Sequence, residues 1–244
     1  MKITIVGTGY VGLVTGATFS ELGHHVLCVD NNEEKIRKLL SGVMPIYEEG
    51  LDELVARNVK AGRLAFSTSI EEGTHFAEVI FIAVGTPPGY LGEANMSYVE
   101  QVGRRVAECM TDYRLLVEKS TVPVNTGEQL KRTIAKYARA DVSFDVASNP
   151  EFLREGTAIV DAFAPDRIVV GVESERARKL LEEIYKPLLD HSGCPFLAMN
   201  IASAELTKHA SNSFLAMKIS FANALSRFCE LAGADVEQVT HGMG

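Results

Sequence analysis

Gly7, Thr8, Gly9, Tyr10, Val11 and Gly12 spell GxGxxG directly after an apolar run, and Asp30 closes the next apolar run. A strand followed by that spacing and a helix is the context in which glycines hold a dinucleotide. Gly7 would permit the tight turn, Gly9 would let the backbone approach a pyrophosphate, and Gly12 would let helix and strand pack closely. The amides of Gly9, Tyr10 and Val11 would then face the anion at the helix start, where the helix dipole favours negative charge. A carboxylate at Asp30 can accept hydrogen bonds from the adenosine ribose hydroxyls, which favours NAD over NADP. A 2′-phosphate would meet that charge, and no arginine immediately follows to offset it. Lys35 is placed to reach the cofactor's ribose or phosphate, or to be an exposed helix lysine. A glycine turn without a ligand is the competing reading of the same residues.

Four further segments carry polar chemistry. Val84, Gly85, Thr86 and Pro87 end one apolar run, and Lys119, Ser120, Thr121, Val122 and Pro123 end another. Loops at the carboxyl ends of strands are where an open α/β sheet binds ligands, so these are cofactor and active-site candidates, with plain strand-to-turn punctuation as the alternative. After a third run, Asn149 is suited to cap a helix and Pro150 to occupy its first turn, which would set Glu151 and Glu155 on one helix face. Lys208 and Asn212, four positions apart on a later helix, project to one side and could flank a substrate or form a solvated face.

The elements that must position these groups follow from periodicity. Short β-branched or apolar runs at 2–6, 25–29, 79–84, 115–118, 144–147, 168–170 and 196–199 alternate with amphipathic stretches, beginning with a helix at about 11–22. Continuous apolar strands separated by helices predict an α/β fold, a Rossmann-type doubly wound and mostly parallel sheet. Residues 201–231 contain neither glycine nor proline. Leu206, Ala210, Phe214, Met217, Phe221, Leu225 and Phe228 recur there at helical steps, which predicts one long amphipathic helix ending near Gly233. A second short helix is expected at 235–241, and a glycine-containing turn at Gly242, Met243 and Gly244. Residues 1–198 are thus expected to form the dinucleotide-binding domain, and 199–244 a long connecting helix with the start of a helical region. The helix carries more apolar positions than one face of that domain can cover, so self-association through it, as a homodimer, is expected.

Composition narrows the function classes. The chain has 244 residues, 46% hydrophobic and 23% charged, with a net charge of −8. That is the mixture of an ordinary globular protein. No basic run offers the counterion release that nucleic-acid binding needs. Cys28, Cys109, Cys194 and Cys229 form no CxxC pair, so no metal or redox motif is spelled out. The apolar stretches near Ile3 and Ile80 are each too short to span a bilayer, and the first residues read as a strand and not a signal peptide, so a cytoplasmic protein is expected, with no membrane partner.

Taken in order, GTGYVG, VGTP, KSTVP, NPEFLREGTA and AELTKHASNSFLAMKISFANAL resemble the UDP-glucose/GDP-mannose dehydrogenase family over essentially the whole chain. KSTVPVNTG and APDRIVVG look closer to the UDP-glucose branch. The resemblance implies a four-electron oxidation of the sugar C6 alcohol to a carboxylate, with two NAD molecules consumed in turn. A cysteine thiolate captures the intermediate aldehyde, and a thioester is then hydrolysed. Glu151 matches the family's general base, and Thr121 would hold a water. Lys208 and Asn212 match the pair that stabilises charge on the substrate oxygen, as donors aimed at a forming alkoxide do. The resemblance also implies that Gly7 to Gly12, Asp30, Lys35, Gly85, Thr86, Pro87, Ser120, Thr121 and Glu155 contact NAD. Glu151, Phe152, Leu153, Arg154 and Glu155 would line the sugar-nucleotide site with Lys208 and Asn212.

The family's nucleophile lies in a GGSCFPKD-like segment, which these 244 residues do not contain. The expectation is therefore a fragment that lacks the C-terminal nucleotide-binding domain, binds UDP-glucose weakly or not at all, and is inactive alone. A GDP-mannose or other nucleotide-sugar dehydrogenase fragment, or a non-catalytic NAD-binding module, are the alternatives.

Overall fold

The computed structural model describes residues 1–90 and 93–243. The strands are β1 (Lys2–Val6), β2 (His25–Val29), β3 (Leu64–Ser67), β4 (Val79–Ile82), β5 (Arg114–Glu118), β6 (Phe144–Ser148), β7 (Ile168–Gly171) and β8 (Phe196–Met199). Between them run α1 (Tyr10–Glu21), α2 (Glu33–Leu40), α3 (Leu51–Lys60), α4 (Ile70–Phe76), α5 (Ser97–Cys109), α6 (Thr126–Tyr137), α7 (Ala158–Phe163) and α8 (Glu175–Ser192). The long helix α9 (Ile201–Ala232) and α10 (Val236–Met243) follow. Two compact units result, residues 1–206 and 207–244.

The strands form a single sheet in the order β3-β2-β1-β4-β5-β6-β7-β8. All pairings are parallel except β6 with β7, where Ser148 faces Gly171 in an antiparallel bridge. Successive side chains of a strand point to opposite faces, and here both faces are covered. Val79 and Phe81 of β4 join one core with Ile3, Ile5 and Leu13, whereas Ile80 and Ile82 join another with Val102, Val106 and Leu130. Two buried faces are why these strands read as unbroken apolar runs.

Side-chain caps start several helices: Asn32 accepts from the Lys35 amide, Ser69 from Glu72 and Ser174 from Ala177. Each satisfies one of the free amides in a first helical turn. Phe19 of α1 packs against Phe81 and Tyr185 at ring-centroid distances of 5.2 and 5.4 Å, which ties α1, the sheet and α8 together.

The strand β3 lies outside the expected set, because Leu64 to Ser67 is short and only Leu64 is fully buried. The turn expected at the end of the sequence is not formed at Gly242 and Met243, which complete α10, and Gly244 lies outside the described residues. Among the described residues no helix is long and apolar enough to cross a membrane.

Candidate dinucleotide and active site

Register brings the candidate residues to one edge. Val6 pairs with both Val29 and Ile82, Ile82 with Glu118, and Glu118 with Ser148. The next residues of each strand, Gly7, Asp30, Ala83, Lys119 and Asn149, therefore emerge side by side at the carboxyl end of the sheet. The chain order reverses between β1 and β4, the switch point at which such sheets leave a crevice.

The turn after β1 is dictated by space. Gly7 adopts φ +105°, and its amide donates to Val29 O at 2.7 Å. A Cβ there would lie 2.4 Å from Ala83 O, and one at Gly12 would lie 1.9 Å from Gly7 O. Among the described residues, a Cβ on Gly9 would meet no atom within 4 Å. Protein packing thus requires two of the three glycines. The third leaves open backbone at the N-cap of α1, where a pyrophosphate would approach.

Asp30 is buried and multiply held. Its Oδ2 accepts from the Thr8 amide at 2.9 Å, the Thr8 hydroxyl at 2.7 Å and Lys35 Nζ at 2.7 Å. Oδ1 accepts from the Asn32 amide at 3.0 Å. Burial opposes its ionisation, but the Lys35 ammonium and the Thr8 and Asn32 donors outweigh that and hold the carboxyl below the usual aspartate range. Lys35, for which two destinations were open, lies against Asp30.

The loops after β4 and β5 brace one another. Ser120 Oγ donates to Val84 O at 2.7 Å, and Thr86 Oγ1 donates to the Thr121 carbonyl at 3.0 Å. Ser120 is buried, whereas Gly85, Pro87 and Thr121 are exposed.

The segment after β6 departs from expectation. Residues 149–154 are not helical, and α7 begins only at Ala158. Asn149 is not a helix cap but a buried bracket. Its Oδ1 accepts from Tyr185 Oη at 2.5 Å and from Lys119 Nζ at 3.0 Å, and its Nδ2 donates to Val169 O at 2.9 Å. Glu151 and Glu155 therefore share no helix face. Glu151 accepts from the Leu153 amide at 2.5 Å, a local turn that competes with helix formation. Gly156 at φ +88° then redirects the chain. Arg154 pairs with Asp161 at 2.6 Å, and the Arg167 guanidinium lies 4.4 Å from the Phe152 ring centre.

Two acidic residues that sequence reasoning passed over stand close to this edge. Glu48 accepts from Tyr10 Oη at 2.6 Å and from the amides of Gly156 and Ala158 at 2.9 and 2.7 Å. Glu205, on the first turns of α9, accepts from the amides of Asn125 and Gly127 at 2.7 and 2.8 Å and so satisfies the start of α6. No periodicity marks either residue, because both act across long sequence separations. Lys208 and Asn212 lie four positions apart on α9 within the second unit.

Residues 1–189 match the NAD binding domain of the UDP-glucose/GDP-mannose dehydrogenase family, and residues 202–244 match the central domain of that family. The chain belongs to the UDP-glucose/GDP-mannose dehydrogenase family. A UDP-glucose 6-dehydrogenase of Bacillus subtilis (strain 168) is 48% identical over 244 residues, covering all of this chain and 54% of the relative. One from Rhizobium meliloti (strain 1021) is 47% identical over 248 aligned positions, covering 56% of its length. The chain thus spans about half the length of the curated relatives it matches. A solved UDP-glucose dehydrogenase from Pyrobaculum islandicum superposes with a TM-score of 0.94 at 43% identity, covering all of this chain and 56% of that one. A GDP-mannose dehydrogenase from Pseudomonas aeruginosa gives 0.90 at 33%, covering 99% and 56%. The α/β Rossmann-type sheet with its long helix, and NAD as the cofactor, agree with what the family's first domain is. The GxGxxG glycines and the acidic residue after β2 are all present from Gly7 to Asp30.

Proposed function

We propose that this chain is the NAD-binding portion of an enzyme that oxidises UDP-glucose to UDP-glucuronate. The observation that carries the reading is the pairing of open backbone at Gly9 with the buried, ionised Asp30. The first suits a pyrophosphate and the second an adenosine ribose. Bound there, NAD supplies a hydride acceptor. Thr8 fixes the Asp30 carboxylate, and Ser120 and Thr86 hold the two neighbouring strand-end loops at the crevice. Gly85, Pro87, Thr121 and Glu155 complete the proposed cofactor contacts.

UDP-glucose is favoured over GDP-mannose because the UDP-glucose enzymes match at 43 to 48% identity against 33% for the GDP-mannose enzyme. In this reading Glu151 acts as general base and Thr121 positions a water, with residues 152–155 lining the sugar nucleotide. Lys208 and Asn212 present an ammonium and an amide on one side of α9 for an oxyanion. The exposed apolar residues Phe214, Met217, Phe221 and Phe228 support a homodimer through α9.

Because the 244 residues hold no GGSCFPKD-like segment, the chain by itself should bind NAD yet produce no NADH from UDP-glucose. Fluorescence detection of NADH during incubation with both compounds checks this. Steady turnover would place a working nucleophile within this chain and overturn the division of labour, and a failure to bind NAD would overturn the reading as a whole.

A further inference from the structure

The buried carboxylate of Glu48 lies between two parts of the molecule far apart in sequence. Its Oε2 accepts from the Tyr10 hydroxyl and from the Gly156 amide, while Oε1 accepts from Ala158, the first residue of α7. Tyr10 is the first residue of α1, inside the glycine fingerprint. Gly156 lies near the end of the 151–157 segment that carries Glu151 and Glu155, and Ala158 follows it directly. The Tyr10 oxygen also stands 3.2 Å from the Arg154 carbonyl. A phenol has one proton, and the shorter contact to a carboxylate takes it.

Both ends of this arrangement need Glu48. Gly156 has left-handed backbone and is followed at once by a helix start, so its amide and that of Ala158 would be without acceptors if the carboxylate were removed. The Tyr10 bond, followed by backbone amides of Gly156, Ala158 and Ile159, holds Glu48 below the usual carboxylate range, which keeps it an acceptor near neutral pH. Residues 41–50 form no strand or helix, so Glu48 is brought here by the loop that leads into α3.

We propose that Glu48 is a positioning residue that latches the 151–157 segment to the dinucleotide fingerprint through Tyr10, so that filling the cofactor site steadies the segment carrying Glu151. This rests on the reading that the fingerprint holds NAD. A pyrophosphate on the amides of the first turn of α1 fixes the backbone of Tyr10, and the phenol passes that constraint to the carboxylate and on to Gly156 and Ala158. Coupling of this kind is reciprocal: whatever factor NAD adds to the order of the segment, the ordered segment adds to NAD affinity.

Hydrogen–deuterium exchange of the peptide covering residues 154–159 tests the proposal, run with and without saturating NAD while calorimetry follows NAD binding. In the wild-type chain NAD should slow that exchange about fivefold, within the usual range of coupling between sites. Glu48→Gln should exchange faster without NAD and show no slowing with it, while its NAD affinity falls by no more than the same factor. Tyr10→Phe deletes one hydroxyl and leaves the bonds from Gly156 and Ala158 to Glu48. It should exchange like wild type without NAD and lose the response to NAD, an outcome a purely structural carboxylate would not give. An unchanged NAD response in Tyr10→Phe, or in a folded Glu48→Gln, overturns the latch. An absence of NAD binding to wild type would instead overturn the proposed function.

Discussion

Lys35 Nζ stands 2.7 Å from Asp30 Oδ2, the same oxygen that accepts from both the amide and the hydroxyl of Thr8. Three donors on one oxygen settle the charge of the carboxylate and its orientation together. Among the described residues the other oxygen, Oδ1, accepts from the Asn32 amide alone, which leaves it a lone pair for a ribose hydroxyl.

The pH dependence of this arrangement follows from its sign. The Asp30 carboxyl is held below its ordinary value of 3.8, so its contribution to stability is fully present above that pH and is lost as pH falls through the lower folded value. NAD affinity should therefore be level between roughly pH 8 and 5 and weaken only in the acid range below the usual aspartate pKa. Titration calorimetry across that range checks it. A midpoint near neutrality would show that another group governs binding.

The fingerprint glycines should separate by cause. Gly12→Ala forces a Cβ to within 1.9 Å of a backbone oxygen and should cost about 1–3 kcal/mol or more of folding stability. Gly9→Ala meets no atom of the described residues, so its unfolding temperature should stay near wild type while NAD affinity falls about tenfold or more. Thermal unfolding beside an NAD titration distinguishes the two, and a strongly destabilised Gly9→Ala would show that the position serves packing.

Glu118 yields a prediction of opposite sign. It is enclosed at the end of β5, and among the described residues its Oε1 has no hydrogen-bond partner. Burial, then the nearby Glu205 charge, drives its carboxyl well above the ordinary value of 4.5. Its contribution to stability is present below that ordinary value and declines as pH rises toward the folded one. Glu118→Gln, which cannot ionise, should gain stability relative to wild type between pH 5 and pH 7. Denaturant melts at both values would show this as a growing difference, and a constant difference would refute it.

Phe221 tests the proposed dimer. It is more than half exposed on α9. Phe221→Glu would place an unpaired charge in an apolar interface, and such charges cost about 3–5 kcal/mol, so dissociation should become easier by about 100-fold or more. Light scattering that finds wild type and variant equally monomeric at high concentration would remove the dimer from the account.

Much of this was legible from local pattern. Glycine spacing after a strand and the carboxylate following β2 pointed to the sheet edge at which the structure brings Gly7 and Asp30 together, and the unbroken apolar runs gave the two-faced sheet. The 32-residue α9 was visible as a stripe without glycine or proline. What escaped was non-local. The helix expected from Asn149 onward is absent because Tyr185 and Lys119 claim the Asn149 side chain from other elements. Glu48 and Glu205 serve amides 108 to 110 and 78 to 80 positions away, where no sequence window reaches.

Calorimetric titration of NAD and NADP into wild type and Asp30→Ala tests the central claim most directly. Wild type should bind one NAD per chain and prefer it to NADP by about tenfold or more. The variant should lose about 10- to 100-fold in NAD affinity, as expected when a hydrogen bond to a charged group is deleted, and should lose the preference with it. Equal NAD affinity in the two proteins, or no heat from wild type, would contradict the account.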